Sequence, residues 1–307
     1  MKPFEESLTE NLIIIPDGPL FDFPFGALPR TSHQIKRQNY GAVPYLIKDF
    51  NLSYANSIRT LLNQMEYNFP VDENYLGASV ENDTSSYLGN LTQTIKEVLN
   101  AQRIFGGHVL LEAKLDEFQK YITEYKYNII HFAMHASSND PKTNTPAIYF
   151  SDKTYGINMI YASDIIANLV VLSVCEAGNG EQVAGEGVLS IARAFAFNRV
   201  PSILTSLSRV EDHSSAFLIG KFYKNINASQ RKDVALKMAK LEIINGKLDN
   251  DDSSAMPYNW ASFVLVGDTE PLTFNRDEQP SLWDRYFGIF FFVFFTGIFY
   301  ASKFFGF

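Results

Sequence analysis

Cysteine is nearly absent. The 307 residues hold one, Cys175, so no internal disulfide can form and the chain suits a reducing compartment. A basic surplus is missing as well. Asp and Glu number 34 against 26 Lys and Arg, a formal charge of −8, which argues against a nucleic-acid backbone as partner. Met1 to Glu10 carries Lys2, Glu5, Glu6 and Glu10 with no apolar core, so no secretory signal is read there. Glycines at 178, 180, 185 and 187 follow neither the Walker nor the Rossmann spacing, and no Lys-Ser/Thr comes after them, which disfavours a nucleotide loop. A serine triad lacks its G-x-S-x-G elbow. One cysteine with scattered His33, His108 and His213 does not compose a structural zinc site. No cofactor and no metal are expected, and neither internal repeats nor low-complexity tracts occur.

What is present is a chain that can bury a core: 46% of residues are hydrophobic and 14% aromatic. Strand and helix signals alternate from residue 11 to 267. Strands are expected at Leu12–Ile15, Tyr75–Val80, His108–Leu111, Tyr127–His135, Ala147–Phe150, Leu169–Cys175, Pro201–Leu207 and Phe263–Val266. Helices are expected at Ser57–Tyr67, Leu91–Phe105, Leu115–Tyr125, Gly185–Phe197, Asp212–Asn225 and Lys232–Ile244. This alternation predicts a three-layer α/β fold with a mostly parallel central sheet flanked by helices.

Two of the strands carry the chemistry. Ile129-Ile130-His131-Phe132-Ala133-Met134-His135 and Val170-Val171-Leu172-Ser173-Val174-Cys175 are apolar along their length, as strands covered on both faces should be. Each ends in a reactive side chain followed by small residues. In open α/β sheets, sites form beyond the carboxyl ends of the strands, and an imidazole on a neighbouring strand end can activate a thiol. His131 and His135 share strand parity but stand roughly 13 Å apart. Only His135 can therefore reach the crevice, and His131 reads as a buried supporting histidine. Gly178 and Gly180 permit a sharp turn, and Gly185 opens a helix whose N-terminus favours nearby negative charge.

These segments, in order, resemble the CHAT domain, a clan of caspase-like and separase-like cysteine peptidases. The likeness covers roughly residues 11–268. It comprises Leu12-Ile13-Ile14-Ile15-Pro16-Asp17-Gly18-Pro19-Leu20, then Phe23-Pro24-Phe25 and Ala27-Leu28-Pro29, then the His131–His135 strand. It continues through Leu172-Ser173-Val174-Cys175-Glu176-Ala177-Gly178 with Gly185-Glu186-Gly187-Val188, Pro201–Leu207 with Glu211-Asp212, and Trp260–Asp268. The resemblance implies a caspase-like fold in which Cys175 is the nucleophile and His135 the general base and acid. It also implies an oxyanion hole formed by the backbone N–H groups of Cys175 and Ala136, with alanine standing where relatives usually have glycine. Asp212 falls where relatives place the acid that selects a basic residue before the cleaved bond; its alternative role is a helix N-cap. Asp17 is a second candidate for that pocket, or a turn residue. Relatives often carry upstream helical repeats that sense a partner; none is read here, so a separate sensor or regulatory protein is an expected partner beside the protein substrate.

From Tyr286 to Ser302 the chain carries no charge, and Lys303 follows. That length reaches the lower limit of about 17 residues for a membrane helix, with Trp283, Arg285, Tyr286 and Tyr300 as interfacial anchors. No face of it is polar, which disfavours an amphipathic core helix. The expected organisation is a peptidase domain at 1–268, a polar linker at 269–282 and a transmembrane helix at 283–307, with the domain on the cytoplasmic side of a single-pass anchor. The sequence thus predicts a membrane-anchored cysteine endopeptidase cleaving after a basic residue. Alternatives are an inactive domain of the same fold acting as a binding or regulatory module, and a membrane scaffold assembling through its tail.

Overall fold

The structure is a computed structural model that describes residues 8–31, 39–81, 93–176, 188–208, 210–249 and 252–275. Its elements in chain order are β1 (Asn11–Ile14), α1 (Leu46–Asp49), β2 (Asn51–Tyr54), α2 (Ile58–Met65), β3 (Glu73–Ser79), α3 (Thr94–Phe105), β4 (His108–Leu111), α4 (Leu115–Glu124) and β5 (Tyr127–Ser137). There follow β6 (Ala147–Tyr149), β7 (Thr154–Gly156), α5 (Ile157–Tyr161), β8 (Ala167–Glu176), α6 (Val188–Phe197), β9 (Ser202–Ser206), α7 (Asp212–Asn227), α8 (Lys232–Ile244) and β10 (Phe263–Gly267). Among the described residues the strands form one sheet in the order β1-β2-β10-β9-β8-β5-β3-β4, with the β6–β7 hairpin paired to the end of β5. The architecture is three-layer α/β, as expected. Alternation along β5 shows why: Ile130, Phe132 and Met134 enter a core with Phe118 of α4, Ile160 of α5 and Phe195 of α6. Ile129 enters the opposite core with Phe105 of α3, Phe222 of α7 and Leu236 of α8.

Strand directions define two edges. One row of register partners crosses the sheet as Ile14, Tyr54, Val266, Ile203, Val170, Ile130, Leu76 and His108. From this row β3, β4, β5, β8 and β9 run upward, whereas β1, β2 and β10 end at it, because β10 is antiparallel to β9. Local periodicity carries no information on that reversal. β2 was also invisible to it: Asn-Leu-Ser-Tyr is not an apolar run, yet all four residues are buried, and Asn51 donates through Nδ2 to Asn11 Oδ1 at 2.8 Å.

The lower edge is laced by chain. After β2, α2 begins at its Ser57 cap, whose hydroxyl accepts from Thr60 N–H. Gln64 donates to the Val200 carbonyl at 3.0 Å, just before β9. Phe69 exchanges two hydrogen bonds with the Asn168 side chain at the start of β8, and Asp72 N–H donates to the Lys126 carbonyl just before β5. Residues 269–274, read from the sequence as linker, also pack here. Leu272 is buried, Asn128 donates to the Thr273 carbonyl at 2.8 Å, and Phe274 stacks on Phe105 with ring centroids 4.8 Å apart. The compact unit accordingly extends to Phe274. Among the described residues no helix is long and apolar enough to cross a membrane; segment 283–307 lies outside them.

His131 is fully buried under α3 and α7. Its Nδ1 lies 2.9 Å from the Tyr75 hydroxyl and its Nε2 2.8 Å from Glu97 Oε1. Burial, with the Glu97 charge adding to it, holds the Tyr75 phenol well above its ordinary range, so Tyr75 remains a donor. The Tyr75 hydroxyl therefore donates to Nδ1, while Glu97 stands at ion-pair distance from Nε2 without hydrogen-bond geometry. Glu97→Leu removes the polar neighbour of a buried imidazole and should cost about 1–3 kcal/mol, whereas Tyr75→Phe, which removes the hydrogen bond to Nδ1, should cost about 1 kcal/mol; urea unfolding measures both.

Lys240 of α8 is the opposite case. It is buried, borders a cleft with Tyr54, Asp233, Lys237 and Phe263, and its Nζ lies 5.9 Å from the Trp260 ring centre. Burial lowers its amine from 10.5 to about 7. Between those values the unfolded chain holds a proton that the native one has released, so this group makes stability rise with pH. The stability advantage of Lys240→Met over the parent should therefore be largest at pH 7 and below. It should shrink toward pH 10 by a few kcal/mol, at about 1.4 kcal/mol per pKa unit, in urea titrations at matched pH.

Candidate active site

The site stands where β5 and β8 reach the upper edge. Their parallel ladder pairs Tyr127 with Ala167 and continues without slip to His135 with Cys175 and Ala136 with Glu176. The backbones of His135 and Cys175 therefore lie opposite each other, at the spacing of about 4.8 Å between neighbouring strands. Every residue of β5 is buried, and His135 is only 4% exposed. The Cys175 side chain and residues 177–187, with Gly178, Gly180 and Gly185, lie outside the described residues.

Ala136 is an interior ladder residue, with Glu176 on one side and Ile148 of β6 on the other. Extended backbone is open to alanine at no cost, so the freedom of a glycine is not required at this position. Past Ser137 the chain turns on Asp140, a buried carboxylate. Its Oδ1 accepts from the N–H groups of Lys142 and Thr143 and from the Thr143 hydroxyl, and its Oδ2 from the Tyr149 hydroxyl at 3.0 Å. Burial alone would raise the Asp140 carboxyl, but these four hydrogen bonds together hold it below its ordinary value. They fix the loop that leaves the histidine strand and feed it into the β6–β7 hairpin.

β9 also ends at the upper edge, and the chain then enters α7. Asp212 is the first helical residue there, half-buried, with Glu211 in the N-cap position making no side-chain cap. A carboxylate in that first turn is favoured by the helix dipole. The N-cap role offered for Asp212 is thus corrected by one position; Asp212 itself follows the end of β9 at the upper edge. Asp17 is not brought to them. It follows β1, which runs antiparallel to β5 and exits at the lower edge, where Asp17 is exposed and its carbonyl accepts from Leu20 N–H. His135 lies five residues beyond the row shared by Ile14 and Ile130, roughly 16 Å in the other direction. One pocket cannot hold both.

Sequence reasoning missed two residues here. Glu97 reads as the polar side of an amphipathic helix, and only tertiary packing reveals that it faces His131. Asp140 did carry a signal: an aspartate followed two and three residues later by free backbone N–H groups is the pattern of an Asx turn.

The sequence matches the CHAT domain over residues 1–268. No curated protein matches it. Similar solved structures include gingipain R, an Arg-specific cysteine proteinase (TM-score 0.46, 9% identity, 72% of this chain and 54% of that one). Another is the complex of Porphyromonas gingivalis RgpB pro- and mature domains (TM-score 0.47, 12% identity, 80% and 62%). A third is the Saccharomyces cerevisiae separase–securin complex (TM-score 0.48, 14% identity, 75% and 15%). The chain spans about half the length of the gingipain chain. The family match runs through both strands of the His135–Cys175 pair and covers most of the sequence, and on that basis the chain belongs to the CHAT domain family.

Proposed function

We propose that the protein is a membrane-anchored cysteine endopeptidase working through a Cys175–His135 dyad. One observation carries this reading: the two residues are register partners at the carboxyl ends of adjacent parallel strands. In-register residues of such strands share a sheet face, which favours thiolate formation beside an imidazolium. In the reaction, the Cys175 Sγ attacks the carbonyl carbon of the scissile peptide. The backbone N–H groups of Cys175 and Ala136 stabilise the oxyanion that forms. His135 protonates the departing amine, releasing the first product and leaving a thioester. It then takes a proton from water, whose attack on the thioester frees the second product and regenerates the thiol. Asp212, at the mouth of the same edge, supplies the carboxylate that pairs with an arginine or lysine before the cleaved bond. The uncharged run at 286–302 anchors the chain in a bilayer.

Cys175→Ala and His135→Ala should each lower cleavage of a basic-residue peptide library by at least about 1,000-fold, with the melting temperature within a few degrees of the parent. Retained cleavage in either variant overturns the dyad. Asp212→Ala should reduce kcat/KM about 10- to 100-fold for substrates with Arg or Lys before the cleaved bond, the loss of one charge-assisted pair. An unchanged cleavage-site profile removes Asp212 from the pocket.

A further inference from the structure

The lower edge of the sheet exposes apolar side chains that the domain itself does not cover. Ile58, Leu62 and Met65 stand at i, i+4 and i+7 on α2 and are 66%, 56% and 57% exposed, whereas Leu61 and Gln64 on the other side of that helix are buried. Phe197, at the end of α6, is 71% exposed and meets Tyr161 edge-on at 5.3 Å. Both helices belong to this edge. Gln64 of α2 bonds to Val200, and α6 ends at Phe197 just before it. Apolar surface gathered in this way marks an interaction site rather than a scatter of single residues.

A second observation says what covers it. The compact domain ends at the same edge, where Phe274 stacks on Phe105 and Thr273 is held by Asn128. Residues 275–285 intervene before the uncharged run that begins at Tyr286. Eleven residues reach at most about 40 Å when fully extended. If that run enters a bilayer, the lower edge is tethered within this distance of the headgroups, and the His135–Cys175 pair is on the opposite edge of the sheet.

We infer that the lower edge, through Ile58, Leu62, Met65 and Phe197, rests on the lipid surface in the manner of an interfacial amphipathic helix. This rests on the membrane anchoring proposed above. It carries a statement about substrate: His135 lies eight residues beyond Tyr127, the first residue of β5, so the dyad is held roughly 26 Å above the lower edge. The scissile segment is then a water-borne chain and not one embedded in lipid.

The test uses the full chain in phosphatidylcholine–phosphatidylglycerol liposomes. Its natural thiol is removed by Cys175→Ser, and one bimane label is introduced at Leu62→Cys, at Met65→Cys as a second lower-edge probe, or at Lys142→Cys in the exposed loop beyond β5. Density flotation reports anchoring, and doxyl-lipid quenching reports contact. Co-flotation with quenching at positions 62 and 65 at least threefold above that at 142 supports the inference. Co-flotation with equal quenching at all three overturns it and leaves the anchor standing. Failure to float overturns the anchor and the inference together.

Discussion

A slip of one residue in the β5–β8 ladder would undo the molecule. His135 would lose Cys175 as its opposite number, and every side chain of the moving strand would exchange faces, sending Ile130, Phe132 and Met134 into the wrong core. Burial of β5 at all eleven positions makes that exchange prohibitive. The Tyr75–His131–Glu97 array adds a polar lock, since His131 meets Glu97 of α3 and the Tyr75 hydroxyl of β3 only in this register. The buried hydrogen bonds four residues below the site thus have a bearing on chemistry through alignment alone.

The elements that position the site were legible because they obey simple patterns. The two apolar strands, the helices at 115–124 and 232–244, and the closing strand at 263–267 stand close to where periodicity puts them. Three things were not. β2 is polar in sequence and buried by its neighbours. Glu97 has the local surroundings of a surface residue. The reversed direction of β1, β2 and β10 follows from which strand docks on which, a long-range choice, and it separates Asp17, offered as a second pocket candidate or a turn residue, from the pocket and leaves it the turn. Asp212 was located to within one residue, because a strand end followed by an acid and a helix is a local signal.

Edges divide the labour of the sheet. At the upper one, strand ends supply backbone N–H groups, a histidine and a cysteine, with Asp140 fixing the exit loop. The lower one is closed by side chains instead. Asn74, Asn128 and Asn168 form a row across three parallel strands, Asn168 donating to Asn128 at 2.9 Å and Asn128 to Asn74 at 3.3 Å, while Asn168 also holds the Phe69 carbonyl and Asn128 that of Thr273. Buried amides are tolerated there because each finds a partner. That row secures the crossing segment between β2 and β3 and the final stretch of the domain at one stroke.

The pairing of Tyr54 with Val266 has a consequence for biosynthesis. β2 leaves the ribosome some 212 residues before the Val266 position of β10, the strand it docks on. At about 5–20 residues per second, the first two strands wait on the order of 10–40 s before their partner emerges. The parallel block from β3 to β9 therefore has the chance to assemble before the β1–β2 pair finds its place in the sheet.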